Sequence, residues 1–303
     1  KRARKISALM PHSEHKLVQL PNGAWSLHCV GVAETYHPVV GPEIEGHILY
    51  AKQIHLERIN SLAVPFVVWD VGLGAAANAL AVIKEASQFT GKILIYSFEH
   101  NLKPLQFALE HTEQLSYLSS FKDIVQQLLD NHKASFQYKQ ISVSWEIIYG
   151  DFPRWLHSAS SQMEKMTSPS AILYDAYSPK KNPDMYTLAL FKKLKNVLSD
   201  YTPCLLVSYS RATLLRSTLL LAGFYVGKGA ATGEKEETTV ASNTLSLIET
   251  PLDHTWLARA QRSTSAEPIL QSVYHQRPLS EESRYQLSIH PQFRPNISAD
   301  IKS

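Results

Sequence analysis

Phe66-Val67-Val68-Trp69-Asp70-Val71-Gly72-Leu73-Gly74-Ala75-Ala76-Ala77-Asn78 is the stretch from which the fold can be read. Its apolar and aromatic opening, interrupted only by Asp70, has the length of a buried parallel strand. Two glycines separated by one residue follow, then an alanine-rich stretch that favours immediate helix formation. Strand, glycine turn and helix form the first unit of a nucleotide-binding α/β sheet. Glycine suits the turn because the backbone must bend sharply and approach a ligand with no Cβ in the way. The N–H groups of the next helix's first turn favour the negative end of a bound cofactor.

Working outward, Lys92-Ile93-Leu94-Ile95-Tyr96-Ser97-Phe98-Glu99 reads as a second strand ending in a carboxylate. It lies roughly 25 residues beyond the glycines, where a ribose diol is gripped in such folds. Two further strands end in acids, at Gly150-Asp151 and at Tyr174-Asp175. Each acid taken alone is also a natural helix N-cap. In this order, the four features favour S-adenosylmethionine over a dinucleotide.

From Phe66 to about Leu247, apolar runs alternate with helical patterns. Strands are expected at 66–71, 92–98, 144–149, 170–174, 203–209, 223–228 and 239–248. Helices are expected at 76–88, 102–112, 119–131, 152–158, 184–198 and 210–221. Such alternation predicts a mainly parallel sheet of seven strands covered on both faces, a Rossmann-like α/β fold. No helix separates the last two strands, so they should close the sheet as an antiparallel hairpin. Residues 1–60 read as an N-terminal extension with a β hairpin near Pro21-Asn22-Gly23 and a helix over 43–60. Residues 61–250 read as the main domain, and 251–303 as a helix capped by Asp253 followed by an irregular tail. Residues 1–20 open with a basic cluster, Lys1-Arg2-Ala3-Arg4-Lys5, and are expected to be loosely held.

A chain of 303 residues with a formal net charge of +3 is long enough for a large core, and its charge does not by itself argue for nucleic acid. Cys29 and Cys204 are too few and too far apart for a disulfide framework or a zinc site, which points to a reducing cytosol. No apolar run reaches membrane-spanning length. The thirteen histidines are scattered, so no metal site is expected. The chain begins at Lys1 rather than Met, which leaves a preceding targeting segment open.

The stretch Asp175-Ala176-Tyr177-Ser178-Pro179-Lys180-Lys181-Asn182-Pro183-Asp184-Met185-Tyr186 is the most unusual in the chain. Its prolines and asparagine fix a loop beyond the sheet. Its aromatic residues suit stacking on a base, its lysines phosphate, and Asp175 an amine. With this loop in view, residues 25–265 resemble the methyltransferase domain of the MnmC-type tRNA-modifying enzymes. The resemblance rests on Asp70-Val71-Gly72-Leu73-Gly74 with Asn78, Ser97-Phe98-Glu99, Gly150-Asp151 and the Ser-Pro-x-x-Asn-Pro-Asp-Met loop. It extends to Ser208-Tyr209-Ser210, Arg216 with Ala222-Gly223-Phe224, and Gly233-Glu234-Lys235-Glu236. Arg259-Ala260-Gln261-Arg262-Ser263 looks like the tail of stand-alone members, which lack the fused oxidase domain.

Three positions depart from the family pattern. Ala76 stands where a third glycine is usual, Tyr186 where an indole is usual, and Lys235-Glu236-Glu237 where a Lys-Arg-Glu run is usual. The resemblance implies methyl transfer from S-adenosylmethionine to the primary amine of 5-aminomethyl-2-thiouridine at the tRNA wobble position, in the cytoplasm. It implies Asp70, Gly72, Gly74, Asn78, Glu99 and Asp151 as cofactor residues. Asp175 would orient the amine, and Tyr177, Pro179, Asn182 and Pro183 would wall the modified base. Lys180, Lys181, Arg211 and Arg216, with the basic N-terminus, are candidate phosphate contacts. Two other readings stay open: a polyamine-synthase-type enzyme, which would want an acid-lined groove, and a non-catalytic tRNA-binding relative. A nicotinamide dehydrogenase is disfavoured because nothing resembles its second domain.

Overall fold

The computed structural model describes residues 14–158, 166–231 and 237–294. Three N-terminal strands, β1 (His15–Gln19), β2 (Trp25–Cys29) and β3 (Glu34–Thr35), pair as a small antiparallel sheet. The expected hairpin is therefore present, but part of the segment expected to be loose is strand, with His15 opposite Cys29 and Gln19 opposite Trp25.

The main sheet contains β4 (Phe66–Val71), β5 (Gly91–Glu99), β6 (Lys133–Tyr138), β7 (Ile141–Tyr149), β8 (Ala171–Tyr174), β9 (Leu205–Ser208), β10 (Tyr225–Gly229) and β11 (Thr238–Ser242). Its eight strands run in the order β10-β11-β9-β8-β4-β5-β7-β6. The five from β9 to β7 are mutually parallel, β6 on one edge and β11 on the other run opposite to them, and β10 pairs antiparallel with β11. The closing hairpin is as expected. The seven-strand expectation missed β6, an edge strand with an alternating exposed and covered pattern.

The helices are α1 (Pro42–Glu45), α2 (Ala77–Ala86), α3 (Lys103–Glu110), α4 (Lys122–Asn131), α5 (Phe152–Ser158), α6 (Leu188–Val197), α7 (Thr213–Leu221), α8 (His254–Arg262) and α9 (Glu281–Ser288). The single helix expected over 43–60 is broken. α1 passes into a π turn over Gly46–Tyr50, then into two 3-10 turns, Ala51–Gln53 and Leu56–Ser61. Close packing on α2 accounts for this irregularity. A Cβ on Gly46 would lie 3.1 Å from the Ala77 carbonyl oxygen and 3.2 Å from the Ala81 Cβ. The strand expected over 239–248 stops at Ser242 and turns into a 3-10 segment, Leu245–Leu247.

Every residue of β4 is buried, and the strand divides two cores. On one face Val68, Ile93, Ile95 and Trp145 pack with α2, α3 and α4. On the other, Trp69, Tyr174, Phe191 and Leu215 pack with α6 and α7. Leu252, Trp256, Leu287 and Phe293 join this second core. The segment after Pro251 thus covers the sheet, and the Asp253 carboxylate accepts from the Trp256 N–H at 2.8 Å, as expected of its cap.

Arg216 is not a phosphate contact. It is 1% exposed on α7. Its guanidinium donates to the Thr239 hydroxyl at 3.0 Å, the Thr238 carbonyl at 2.7 Å and the Glu237 carboxylate at 2.7 Å. Although partial burial opposes it, the Arg216 bond and the Lys228 charge hold the Glu237 carboxyl below its usual range. Replacing Arg216 by methionine should cost about 3 kcal/mol in urea unfolding, because the partner acid and carbonyl lose their donors. A carboxyl depressed by folding stabilises above its unfolded pKa, and that contribution fades as the pH falls through the folded value. The gap between wild type and Arg216→Met should therefore narrow below about pH 4. Lys180, Lys181 and Arg211 are exposed, whereas residues 1–5 and the motif at 233–236 lie outside the described residues.

Candidate functional site

β4 is where the chain reverses its path across the sheet, since β5 follows on one side and β8 is laid down on the other. Ligands of open α/β sheets bind beyond the carboxyl ends of strands at such a point. The ends are tied together there: Gly72 N–H donates to the Phe98 carbonyl at 3.1 Å, and Asp175 N–H to the Val71 carbonyl at 3.0 Å. Gly72 has φ +95°, and a Cβ on it would lie 2.6 Å from the Asp175 carbonyl oxygen. Glycine is required here both for the dihedral and for the approach of the neighbouring strand. Gly74 follows at φ +50° with the Tyr36 ring 3.0 Å from a virtual Cβ. Ala76 also adopts a left-handed conformation, φ 63°. That conformation gives the physical reason for the glycine usual at this position in the resembled family.

A cavity of about 640 Å³ opens over these strand ends, within the size range of small-molecule sites. Gly72, Gly74, Asn78, Glu99, Asp151 and Asp175 all border it. So do Tyr177 and Asn182 from the loop after β8. Pro179 and Pro183 do not line it and instead shape the loop behind. Asp70 does not reach it either. It lies 1% exposed beneath the turn and accepts from the Ser97 hydroxyl at 2.7 Å, to which Trp145 Nε1 donates at 2.8 Å. Burial, opposed by the Ser97 bond and reinforced by the charges of Asp175 and Glu99, raises its carboxyl to about 7.

Each acid at the cavity is already held. Glu99 accepts from the N–H groups of Gly74, His100 and Asn101 at 3.1, 2.9 and 3.0 Å. Asp151 accepts from the Arg154 N–H at 3.0 Å, so it does cap α5 while bordering the cavity. Asp175 accepts from Asn78 Nδ2 at 2.6 Å. Glu45, on α1, accepts from the N–H groups of Val39 and Val40 at 2.8 and 2.9 Å. Glu34 accepts from the Ser178 hydroxyl at 2.6 Å.

The last two acids were invisible to sequence reasoning, because they come from the N-terminal sheet and the turns after it. That sheet forms the roof. Tyr36 and Tyr177 hydroxyls meet at 2.6 Å with their rings edge to face at 5.9 Å. Glu34 and Tyr36 together fasten the loop after β8 to the roof. Tyr50 and Tyr209 complete the wall, and burial raises their phenols as well as those of Tyr36 and Tyr177. These phenols stay neutral at physiological pH, so they present polarised hydroxyls and aromatic faces to whatever enters. Neither Lys nor Arg occurs among the described residues bordering the cavity. The arrangement attracts cations and repels phosphate.

Residues 116–244 match the sequence profile of the family described as S-adenosyl-L-methionine-dependent methyltransferase. That stretch, less than half of the chain, is similar to the family.

A relative from Leptospira interrogans, named tRNA 5-methylaminomethyl-2-thiouridine biosynthesis bifunctional protein MnmC, is 26% identical over 76% of this chain and 34% of its own length. The chain thus spans about a third of that relative. An uncharacterized protein of Methanocaldococcus jannaschii is 25% identical over 75% of this chain and 59% of its own length. Among solved structures, MnmC2 from Aquifex aeolicus superposes with a TM-score of 0.65 at 21% identity, covering 91% of this chain and 83% of that one. This last likeness bears out the Rossmann-like fold.

S-adenosylmethionine is the cofactor of the matched family, and the cavity has features that fit it. They are a left-handed glycine turn open to the cavity, a carboxylate at the end of β5, and an anionic aromatic enclosure suited to a sulfonium cation. Among the described residues, no three or more His, Cys, Asp or Glu side chains are placed to hold a metal, and no helix is long and apolar enough to cross a membrane.

Proposed function

We propose that this methyltransferase acts in the cytoplasm on tRNA, converting 5-aminomethyl-2-thiouridine to 5-methylaminomethyl-2-thiouridine at the wobble position. The observation that carries the reading is the position of Asp175. Its carboxylate stands at the switch point, between the glycine turn and the Ser-Pro-x-x-Asn-Pro loop, and borders the cavity. The names of the curated relatives support the choice of substrate.

Gly72 and Gly74 would shape the methionine side of the cofactor site, Asn78 the niche beside it, Glu99 the ribose contact and Asp151 the adenine end. Asp70 would support the turn from below. Tyr177 and Asn182 would flank the base, with Pro179 and Pro183 fixing their loop. When bound, S-adenosylmethionine supplies an electrophilic methyl: the amine nitrogen bonds to that carbon, and the carbon–sulfur bond breaks with its electron pair passing to sulfur. An alkylamine is mostly protonated at neutral pH and must first lose a proton. Asp175 would accept an N–H of the amine, orient its lone pair and pass the proton towards solvent. Holding nitrogen and methyl in line is a large part of the acceleration. The phosphates would remain outside, since the cavity carries fixed negative charge.

The test is incorporation of labelled methyl from S-adenosylmethionine into tRNA lacking the modification, followed by nucleoside analysis. A 5-methylaminomethyl-2-thiouridine product is expected. Cofactor binding with no incorporation would overturn the acceptor, and no cofactor binding would favour the non-catalytic tRNA-binding reading. A second reading has an observation in its favour. Lys180 and Lys181 are exposed and do not border the cavity, whereas Glu34, Glu45, Glu99, Asp151 and Asp175 do, so the groove is lined by acids. Running the same assay with an aliphatic diamine separates the two.

A further inference from the structure

Two buried polar atoms bordering the cavity have little to bond to within the fold: Asn78 Oδ1 has no partner, and the Tyr50 hydroxyl has only the Asp175 carboxylate beside it. Tyr50 is 0% exposed and Asn78 4%. Leaving such atoms unsatisfied costs stability, so each calls for an explanation. Both lie with Asp175: Asn78 donates to it through Nδ2, which leaves Oδ1 as an unused acceptor, and burial, then the Asp175 charge and hydrogen bond, raise the Tyr50 phenol. Tyr50 reaches the wall at the end of the π turn over Gly46–Tyr50. Single π turns inserted in helical segments recur at functional sites because the extra residue redirects a side chain.

We infer that the Tyr50 hydroxyl, Asn78 Oδ1 and the Asp175 carboxylate form a niche for one primary ammonium or amine group, in which Tyr50 is a binding residue. Three oxygen acceptors match the three N–H donors of an ammonium, and among the described residues no Lys or Arg borders the cavity to compete for them. The group belongs either to the cofactor's methionyl end or to the acceptor. The inference rests on the methyltransferase reading but not on the identity of the acceptor.

The variant to test is Tyr50→Phe, which keeps the ring and removes only the hydroxyl beside Asp175. Binding of S-adenosylhomocysteine, of 5′-methylthioadenosine (which lacks the amino-acid half) and of benzylamine to the S-adenosylhomocysteine complex would be measured by calorimetry, with the Tm of each free protein. We expect one amine-bearing probe to bind about tenfold more weakly, with 5′-methylthioadenosine unaffected. Loss confined to S-adenosylhomocysteine, with methylthioadenosine unaffected, assigns the niche to the cofactor's ammonium. Loss confined to benzylamine assigns it to the acceptor. Unchanged affinity for both amine-bearing probes overturns the niche, as does a fall in Tm with equal weakening of all three ligands. Failure of the tRNA reading would show separately, as absence of methyl transfer by the wild type.

Discussion

Gly72→Ala should abolish measurable cofactor binding and destabilise the fold by about 3 kcal/mol, through left-handed strain combined with overpacking. Two independent costs meet at this atom. At φ +95° a Cβ is strained wherever it sits, and here it would lie 2.6 Å from the Asp175 carbonyl oxygen. That oxygen is backbone at the end of β8, so it can withdraw only if the β4–β8 pairing loosens, and Val71 opposite Tyr174 is the last register pair of that ladder. The substitution thus spreads the crevice at the point where the proposed cofactor site opens. Urea unfolding and calorimetric titration with S-adenosylhomocysteine would check both parts. Gly150→Ala is the useful control, because Gly150 also has positive φ, +147°, but no atom within 4 Å of a virtual Cβ. Its effect should be strain alone. Retention of normal cofactor affinity by Gly72→Ala would remove the turn from the cofactor site.

Asp175→Asn should lower methyl transfer at saturating cofactor about 10²-fold, the usual scale for losing a positioned acid–base group. The substitution is nearly isosteric. The asparagine carbonyl can still accept from Asn78 Nδ2, so folding and the cavity wall should survive and the change reports on charge. What is lost is a carboxylate able to hold a proton taken from the incoming ammonium. Raising the pH should restore part of the rate in the variant, because a larger fraction of the alkylamine is then already neutral. Single-turnover methyl incorporation across a pH series measures this. More than half of the wild-type rate at neutral pH would show that Asp175 neither positions the amine nor handles its proton.

The parts of this molecule legible in the sequence are those where one local rule acts alone. Phe66 to Asn78 combines a buried apolar run with a glycine turn, and both survive intact in β4, the turn and α2. Asp253 caps its helix as its position suggests. β6 escaped because nothing local marks its turn: Lys139 takes φ +50° without being glycine or asparagine, and the strand's exposed residues are polar. Residues 43–60 have helical spacing, yet contact with α2 through Gly46 breaks them into short turns, which is tertiary override of a correct periodicity. Arg216 looked like a surface cation because a sequence does not say which arginine meets a buried acid. At the site, strand-end acids were readable because topology fixes where strand ends go. Glu34, Tyr36, Glu45 and Tyr50 were not, since they come from a separate sheet and the turns that follow it.

The way the cavity's carboxylates are tied down has a consequence for turnover. A sulfonium enters with a positive charge, and the sulfur that remains after transfer is a neutral thioether. Because Glu34, Glu45, Glu99, Asp151 and Asp175 are each anchored by a local donor, the field they produce does not relax when that charge disappears from the sulfur. The spent thioether loses an attraction that the incoming sulfonium keeps. At the proposed cofactor site, the enclosure would therefore act as a charge-selective exchanger, weighted against inhibition by the spent thioether.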